Sequence, residues 1–184
     1  MVKKFLGDFL TKAVFLDRDG VINVEKNYLY KIEDFEFVKG TFDNLKKLQD
    51  AGFKLFIITN QSGIGRGYYT LEDFNKLTTW MLNEFDKKGI IISQVELCPH
   101  APTDTCNCRK PKIGMIDNIL KNHELDLENS WLIGDKSSDI LCAKNANIKN
   151  TIQVKSGHDF DEKESLANFV CNSINDIEKI ISSS

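Results

Sequence analysis

Short apolar runs alternate with longer amphipathic stretches from one end of this chain to the other. The runs 13–16, 54–58, 94–97, 130–133, 151–154 and 168–171 carry Val, Ile, Leu, Phe or Trp at half or more of their positions, the pattern of buried strands. Helical periodicity fills the intervals near 41–51, 71–88, 113–122, 137–146 and 173–182. In 71–88, Leu71, Phe74, Leu77, Met81, Leu82 and Phe85 recur at three- and four-residue spacing and so share one helix face. Strands alternating with helices require right-handed crossovers, which predicts a mostly parallel sheet covered on both sides. The expected fold is α/β, with three Rossmann-like layers. Such an open sheet binds ligands beyond the carboxyl ends of its strands, near the point where strand order reverses.

Composition supports this reading. Apolar residues are 41% of the 184, enough for a core, and 11 Gly with 3 Pro exclude collagen-like and disordered chains. The length predicts one domain over 1–184. A net charge of −3 gives no basic surface for nucleic acid. No apolar run approaches the ~20 residues that cross a bilayer. Lys3 and Lys4 stand near the start, but Asp8 and Lys12 interrupt what would be the apolar segment of a signal peptide. A cytoplasmic protein without membrane or nucleic-acid partners is expected.

Three strand ends carry chemistry. The first, second and fourth strands lead into Asp17-Arg18-Asp19-Gly20, Thr59-Asn60-Gln61-Ser62 and Gly134-Asp135-Lys136, and Arg109-Lys110-Pro111-Lys112 opens the crossover after the third. A lone Asp-x-Asp is more often a solvated turn. Here the pair follows an apolar strand and faces a third carboxylate, Asp135, so repulsion in a partly desolvated cleft would cost several kcal/mol. A hard divalent cation removes that cost, and Mg²⁺ takes one or two carboxylates together with water and phosphate oxygens. Taken singly, Thr59 is as readily a turn cap, Lys110 a solvated lysine, and Lys136 with Asp139 an exposed helix-start pair. Their joint placement argues for a site.

Cysteine placement is equally uneven. Of five cysteines and three histidines, Cys98, His100, Cys106 and Cys108 fall within eleven residues. Three thiolates and an imidazole form a closed tetrahedral set for Zn²⁺, and four protein ligands leave no open position. The metal is therefore expected to be structural, pinning the loop that runs into Arg109 and Lys110. Cys142 and Cys171 read as small core residues. His123 and His158 lack comparable partners and read as surface or packing histidines.

These motifs resemble a known family. Phe15-Leu16-Asp17-Arg18-Asp19-Gly20-Val21-Ile22-Asn23 resembles the first motif of the haloacid dehalogenase superfamily of phosphotransferases. Thr59 resembles its second motif, Lys110 its third, and Gly134-Asp135 with Asp139 its fourth. More narrowly, Thr59-Asn60-Gln61-Ser62-Gly63-Ile64-Gly65-Arg66-Gly67-Tyr68-Tyr69 resembles the D-glycero-D-manno-heptose 1,7-bisphosphate phosphatases. So does Cys98-Pro99-His100 followed by Cys106-Asn107-Cys108-Arg109-Lys110-Pro111. The likeness runs from about Val14 to Asp139.

The resemblance implies a mechanism. Asp17 would attack phosphorus and form an aspartyl phosphate, and Asp19 would protonate the leaving alkoxide and then activate water. Mg²⁺ would be held by Asp17, the Asp19 carbonyl and Asp135. Thr59 and Lys110 would stabilise the phosphoryl group, with Asp139 as a support rather than a ligand. Substrate contacts would come from Glu25, Lys26, Asn27, Tyr28, Asn60, Gln61, Ser62, Arg66, Arg109 and Lys136. The family turn has Gly before its Tyr where this chain has Asn27, a residue that tolerates left-handed backbone. Tyr28 and Tyr30 read equally well as the packed face of a hairpin. The implied reaction removes the C7 phosphate of heptose 1,7-bisphosphate in heptose supply for lipopolysaccharide or surface glycans, by a monomer whose partner is a small sugar phosphate.

Two alternatives stay open. The five-residue spacer between His100 and Cys106 resembles histidinol-phosphate phosphatases, whereas Gly65-Arg66-Gly67-Tyr68-Tyr69 and Lys112-Ile113-Gly114-Met115 resemble the heptose enzymes. A non-catalytic zinc-stabilised interaction module would have no need for both Asp17 and Asp19. About 23 residues between the first strand and its helix, and about 15 after the third, are too few for a large cap domain.

Overall fold

The computed structural model describes residues 10–184. The signal-peptide argument from Lys3, Lys4 and Asp8 lies outside them. In chain order the elements are β1 (Ala13–Leu16), α1 (Thr41–Asp50), β2 (Lys54–Asn60), α2 (Ser62–Gly65), α3 (Leu71–Asp86) and β3 (Ile92–Cys98). They continue with α4 (Gly114–Leu120), β4 (Trp131–Gly134), α5 (Ser137–Asn145), β5 (Asn150–Val154), β6 (Phe169–Cys171) and α6 (Ile177–Ser182). The strands form one sheet in the order β3-β2-β1-β4-β5-β6, and every pairing is parallel. All six expected strands form.

Strand alternation sends successive side chains to opposite faces. Val14, Leu16, Leu55, Ile57, Ile133 and Ile152 pack with Leu45 and Leu48 of α1, Met81 and Phe85 of α3 and Ile177 of α6. Ala13, Phe15, Phe56, Ile58 and Leu132 pack on the other face with Met115, Ile116 and Ile119 of α4 and Cys142 and Ala143 of α5. The three-layer architecture follows, and among the described residues there is no cap domain. Among the described residues no helix is long and apolar enough to cross a membrane.

Several element ends shift by one or two residues, and two regions differ more. The helix expected near 173–182 divides into a 3-10 turn, Ile174–Asp176, and α6, because the Ser173 hydroxyl accepts the Asn175 N–H and holds the tighter turn. The single turn α2 was not expected, since Ser62-Gly63-Ile64-Gly65 has no apolar period and two glycines. Tertiary contact selects it: the Gly65 N–H donates to the Pro99 carbonyl (2.8 Å), and a Cβ there would lie 2.6 Å from the Ala101 nitrogen.

Helix α3 opens on a reciprocal cap. The Thr70 hydroxyl accepts the Asp73 N–H (3.1 Å), and the Asp73 carboxylate accepts the Thr70 N–H (2.8 Å). Thr70→Ala should lower stability by about 1 kcal/mol and Tm by about 2–4 °C, measured by thermal unfolding. No change in Tm would show that packing of Phe74, Leu77, Met81 and Phe85 alone sets that helix end.

Candidate active site

Strand order reverses between the parallel neighbours β1 and β4, and the site lies beyond their carboxyl ends. Asp17 and Asp19 follow β1. Gly20 (φ 81°) turns the chain where any Cβ would lie 2.6 Å from Asp135 Oδ2, so the turn and the fourth strand's carboxylate approach closely. Asp17 Oδ1 accepts the Arg18 N–H (2.7 Å) and lies 3.0 Å from the Lys110 ammonium. Burial pushes the Asp17 carboxyl up to about 6, against the pull of Lys110 and with repulsion from Asp139 and Asp19.

Asp19 is held differently. The Arg18 guanidinium, itself buried, donates to both its oxygens through Nε (3.2 Å) and a terminal nitrogen (2.9 Å). Asn23 Nδ2 (3.0 Å) and Gln61 Nε2 (2.8 Å) donate as well. Burial alone would raise its pKa, but the Arg18 charge and these hydrogen bonds hold the carboxyl below its ordinary range. Gln61 Nε2 also donates to the Thr59 hydroxyl oxygen (2.8 Å), which leaves the hydroxyl proton of Thr59 free to be given to a ligand.

Lys110 is buried at the floor. Its ammonium contacts Asp139 Oδ1 (2.6 Å) and Asp17 Oδ1 (3.0 Å) and donates to the Ile58 carbonyl (2.8 Å). Burial opposes the charge, yet Asp139 and Asp17 outweigh it and hold the lysine above its usual range. Asp139 Oδ2 accepts the Lys136 N–H (3.0 Å), so Asp139 caps α5 and anchors Lys110. Asp135 ends β4 and is buried, and burial with the Asp17 charge raises its carboxyl despite His158. Its Oδ1 is buried without a hydrogen-bond partner among the described residues.

Oxygens of Asp17, Asp135 and Asp139 approach within 4.8 Å of one another. Asp139 is committed to Lys110 and α5, which leaves Asp17 and Asp135 as the pair with oxygens to offer. Two buried carboxylates, both destabilised as anions and one with an orphaned oxygen, fit a hard divalent cation.

The cavity above them has a volume of about 290 Å³. Asp17, Asp19, Glu25, Lys26, Asn27, Tyr28, Asn60, Gln61, Ser62, Arg109, Lys110 and Lys136 all line it. Arg66 does not: it is exposed at the end of α2. Thr59 lies beneath the wall, tied to it through Gln61. The turn 25–28 is built otherwise than expected, since the left-handed residue is Tyr28 (φ 56°) and not Asn27. Tyr28, 42% exposed, packs edge-on against Tyr68 (4.6 Å between centroids), a contact that holds this backbone. Tyr30 instead stacks on Tyr69 (5.3 Å).

The loop after β3 gathers the Cys/His cluster. Cys98 Sγ lies 3.8 Å from Cys106 Sγ, 2.9 Å from Cys108 Sγ and 3.6 Å from His100 Nδ1, and all four donor atoms are mutually within 4.8 Å. Tetrahedral bonds of about 2.3 Å would place sulfurs about 3.8 Å apart. Burial, then the neighbouring Cys108, pushes the Cys98 thiol up to about 12, a crowding that a divalent soft-ligand metal relieves by taking thiolates. The set fits zinc. Arg109 donates to the His100 carbonyl (3.4 Å), so the loop also places that guanidinium.

Several residues in or beside the cavity wall were given no site role from the sequence. Arg18 sits between two site aspartates, and that placement of a charge at a strand end was the available signal. Tyr69, at the end of the motif that opens with Thr59, and Ser138, outside any motif, also line the cavity. His158 corrects an expectation: it is not a lone surface histidine, because the β5 end brings its Nδ1 within 2.6 Å of Asp135 Oδ2. The rule used for the other strand ends applied to β5 too, since Ser156-Gly157-His158 follow it.

Comparison with known proteins agrees. A HAD-hydrolase-like family model matches residues 107–177. The chain is 50% identical over 142 residues to the D-glycero-beta-D-manno-heptose-1,7-bisphosphate 7-phosphatase of Helicobacter pylori, covering 77% of this chain and 82% of that one. It is 44% identical over 177 residues to the D-glycero-alpha-D-manno-heptose-1,7-bisphosphate 7-phosphatase of Photorhabdus laumondii, covering 92% and 96%. A crystal structure of D,D-heptose 1,7-bisphosphate phosphatase from B. bronchiseptica, complexed with magnesium and phosphate, superposes with a TM-score of 0.81 at 26% identity, covering 94% of this chain and 99% of that one. At 50% and 44% identity over most of both relatives' length, the chain belongs to the D-glycero-D-manno-heptose-1,7-bisphosphate 7-phosphatase family.

Proposed function

We propose that this chain hydrolyses the C7 phosphate of D-glycero-D-manno-heptose 1,7-bisphosphate in a Mg²⁺-dependent reaction, with Asp17 as nucleophile. The observation that carries this is the burial of Asp17 against Lys110 and beside Asp135, whose Oδ1 has no hydrogen-bond partner among the described residues. Mg²⁺, held by Asp17, the Asp19 carbonyl and Asp135, would when bound neutralise charge on the phosphoryl oxygens. Asp17 attacks phosphorus, the P–O bond to the C7 oxygen breaks, and the C7 alkoxide leaves with the electron pair, giving an aspartyl phosphate. Lys110 and the Thr59 hydroxyl stabilise the charge on the transferring group.

Asp19 supplies the proton for the leaving alkoxide and then takes one from the attacking water. In the structure Arg18 keeps it ionised, so the acid role follows the arrival of a phosphate whose negative charge raises its proton affinity. Cys98, His100, Cys106 and Cys108 would hold zinc as a closed structural site outside the chemistry, steadying the loop that carries Arg109. The non-reacting C1 phosphate sits near Arg109, whose fork suits a phosphate and repels the amine of histidinol phosphate. The product serves heptose activation for lipopolysaccharide or surface glycans, in the cytoplasm.

A panel of heptose 1,7-bisphosphate, sugar monophosphates and histidinol phosphate tests the substrate. The bisphosphate should show the highest kcat/KM. Arg109→Ala should raise KM for it by about 10- to 100-fold while changing KM for p-nitrophenyl phosphate little, the loss of one charge-assisted contact. A higher kcat/KM with histidinol phosphate, or an equal effect of Arg109→Ala on both substrates, would overturn the assignment.

A further inference from the structure

The end of β5 contributes a clamp on Asp135. Two donors converge on one oxygen of that carboxylate: the His158 backbone N–H (2.9 Å) and its ring Nδ1 (2.6 Å) both meet Oδ2. The approach needs a bare backbone, since a Cβ on Gly157 would overlap Oδ2, and a Cβ on Gly20 would lie 2.6 Å from it. Two further bonds hold the segment down: Ser156 donates to the Gly20 carbonyl (2.6 Å), and Gln153 donates to the Asp135 carbonyl (3.3 Å). The loop 155–158 is thus fastened to both strands that carry the carboxylate pair.

The other oxygen is treated in the opposite way. Oδ1 of Asp135 is buried with no hydrogen-bond partner among the described residues. An orphaned anionic oxygen is expensive to bury, whereas a carboxylate with one oxygen saturated and one bare presents a single ligand atom in a fixed direction. The His158 ring is only partly covered (its side chain is 41% exposed) and reaches the cavity wall, so packing alone does not account for its position.

We propose that His158 is a positioning residue for the catalytic metal: it saturates Asp135 Oδ2 and thereby aims Oδ1 at the cation. The role rests on the Mg²⁺-dependent reading above. With Oδ2 accepting, Nδ1 donates a ring proton to it. Loss of the clamp lets the carboxylate rotate and offer the wrong oxygen, which weakens the metal before any chemistry.

The test is Mn²⁺ binding to substrate-free protein, followed by electron paramagnetic resonance of the free ion, with the Mg²⁺ activation constant as a second readout. An Asn side-chain amide places its nitrogen where Nδ1 stood, and a Gln amide where Nε2 stood. His158→Ala should weaken Mn²⁺ binding by about 10- to 100-fold, His158→Asn should return it to within about threefold of wild type, and His158→Gln should not. The Mg²⁺ activation constant should follow the same order, raised in His158→Ala and His158→Gln and returned toward wild type in His158→Asn. Equal Mn²⁺ affinity of His158→Ala and wild type would overturn the proposal, as would rescue by Gln rather than Asn. Absence of Mn²⁺ and Mg²⁺ binding by the wild type would instead remove the metal reading itself.

Discussion

Asp17→Asn should reduce phosphate release by about 10⁴-fold or more, because an amide oxygen cannot serve as the nucleophile that forms the acyl phosphate. The fold should survive. Lys110 keeps Asp139 at 2.6 Å and the Ile58 carbonyl at 2.8 Å, so no buried ammonium is stranded. Burial holds the Asp17 carboxyl at about 6, above its ordinary range, which makes the ionised side chain a net cost to the metal-free folded state at neutral pH. The isosteric amide removes that cost. Metal-free Asp17→Asn should therefore melt at or above the wild-type temperature while being inactive. Undiminished turnover would sink the covalent route, and a large fall in Tm would show that Asp17 is chiefly a structural partner of Lys110.

Protein prepared without chelator should contain about one zinc per chain, and Cys106→Ser should lose it. The loop 98–108 has few apolar residues of its own, so ligation does what a cross-link does elsewhere. A cross-link of that kind is worth ~2–5 kcal/mol, which for a chain of this size is about 5–15 °C in Tm. The second consequence is functional. Arg109 touches the His100 carbonyl, so a loosened loop should raise KM for the bisphosphate in the manner of Arg109→Ala, with a smaller change in kcat. Elemental analysis without zinc would refute the assignment. Loss of zinc with an unchanged KM would separate the loop from substrate binding.

The two sites differ in how openly the chain displays them. Cys98, His100, Cys106 and Cys108 lie within eleven residues, and a metal set at that density is local information. Asp17, Thr59, Lys110 and Asp135 are far apart in sequence, yet each follows a strand, and parallel strands deliver their carboxyl ends to one edge. The fold itself was legible for the same reason: Val14 and Leu16 against Ala13 and Phe15 already declare a sheet buried on both faces. His158 was hidden because its partner lies 23 residues upstream on a different strand, and nothing near it repeats a motif. Arg66 shows the converse, a motif residue that the geometry leaves in solvent.

What the sequence determined by itself is whatever depends on spacing along the chain: strand and helix order, the apolar faces, the Asp17/Asp19 pair and the Cys/His cluster. Only the tertiary structure decided the pairings across elements. It named Lys110 as the partner of the supporting Asp139, set Arg18 on Asp19 and His158 on Asp135, and put Tyr28 rather than Asn27 in the left-handed turn. The physical reason is range. Periodicity and ligand spacing are fixed within a few bonds, whereas hydrogen bonds and buried ion pairs depend on ångström distances between segments that only the packed sheet brings together.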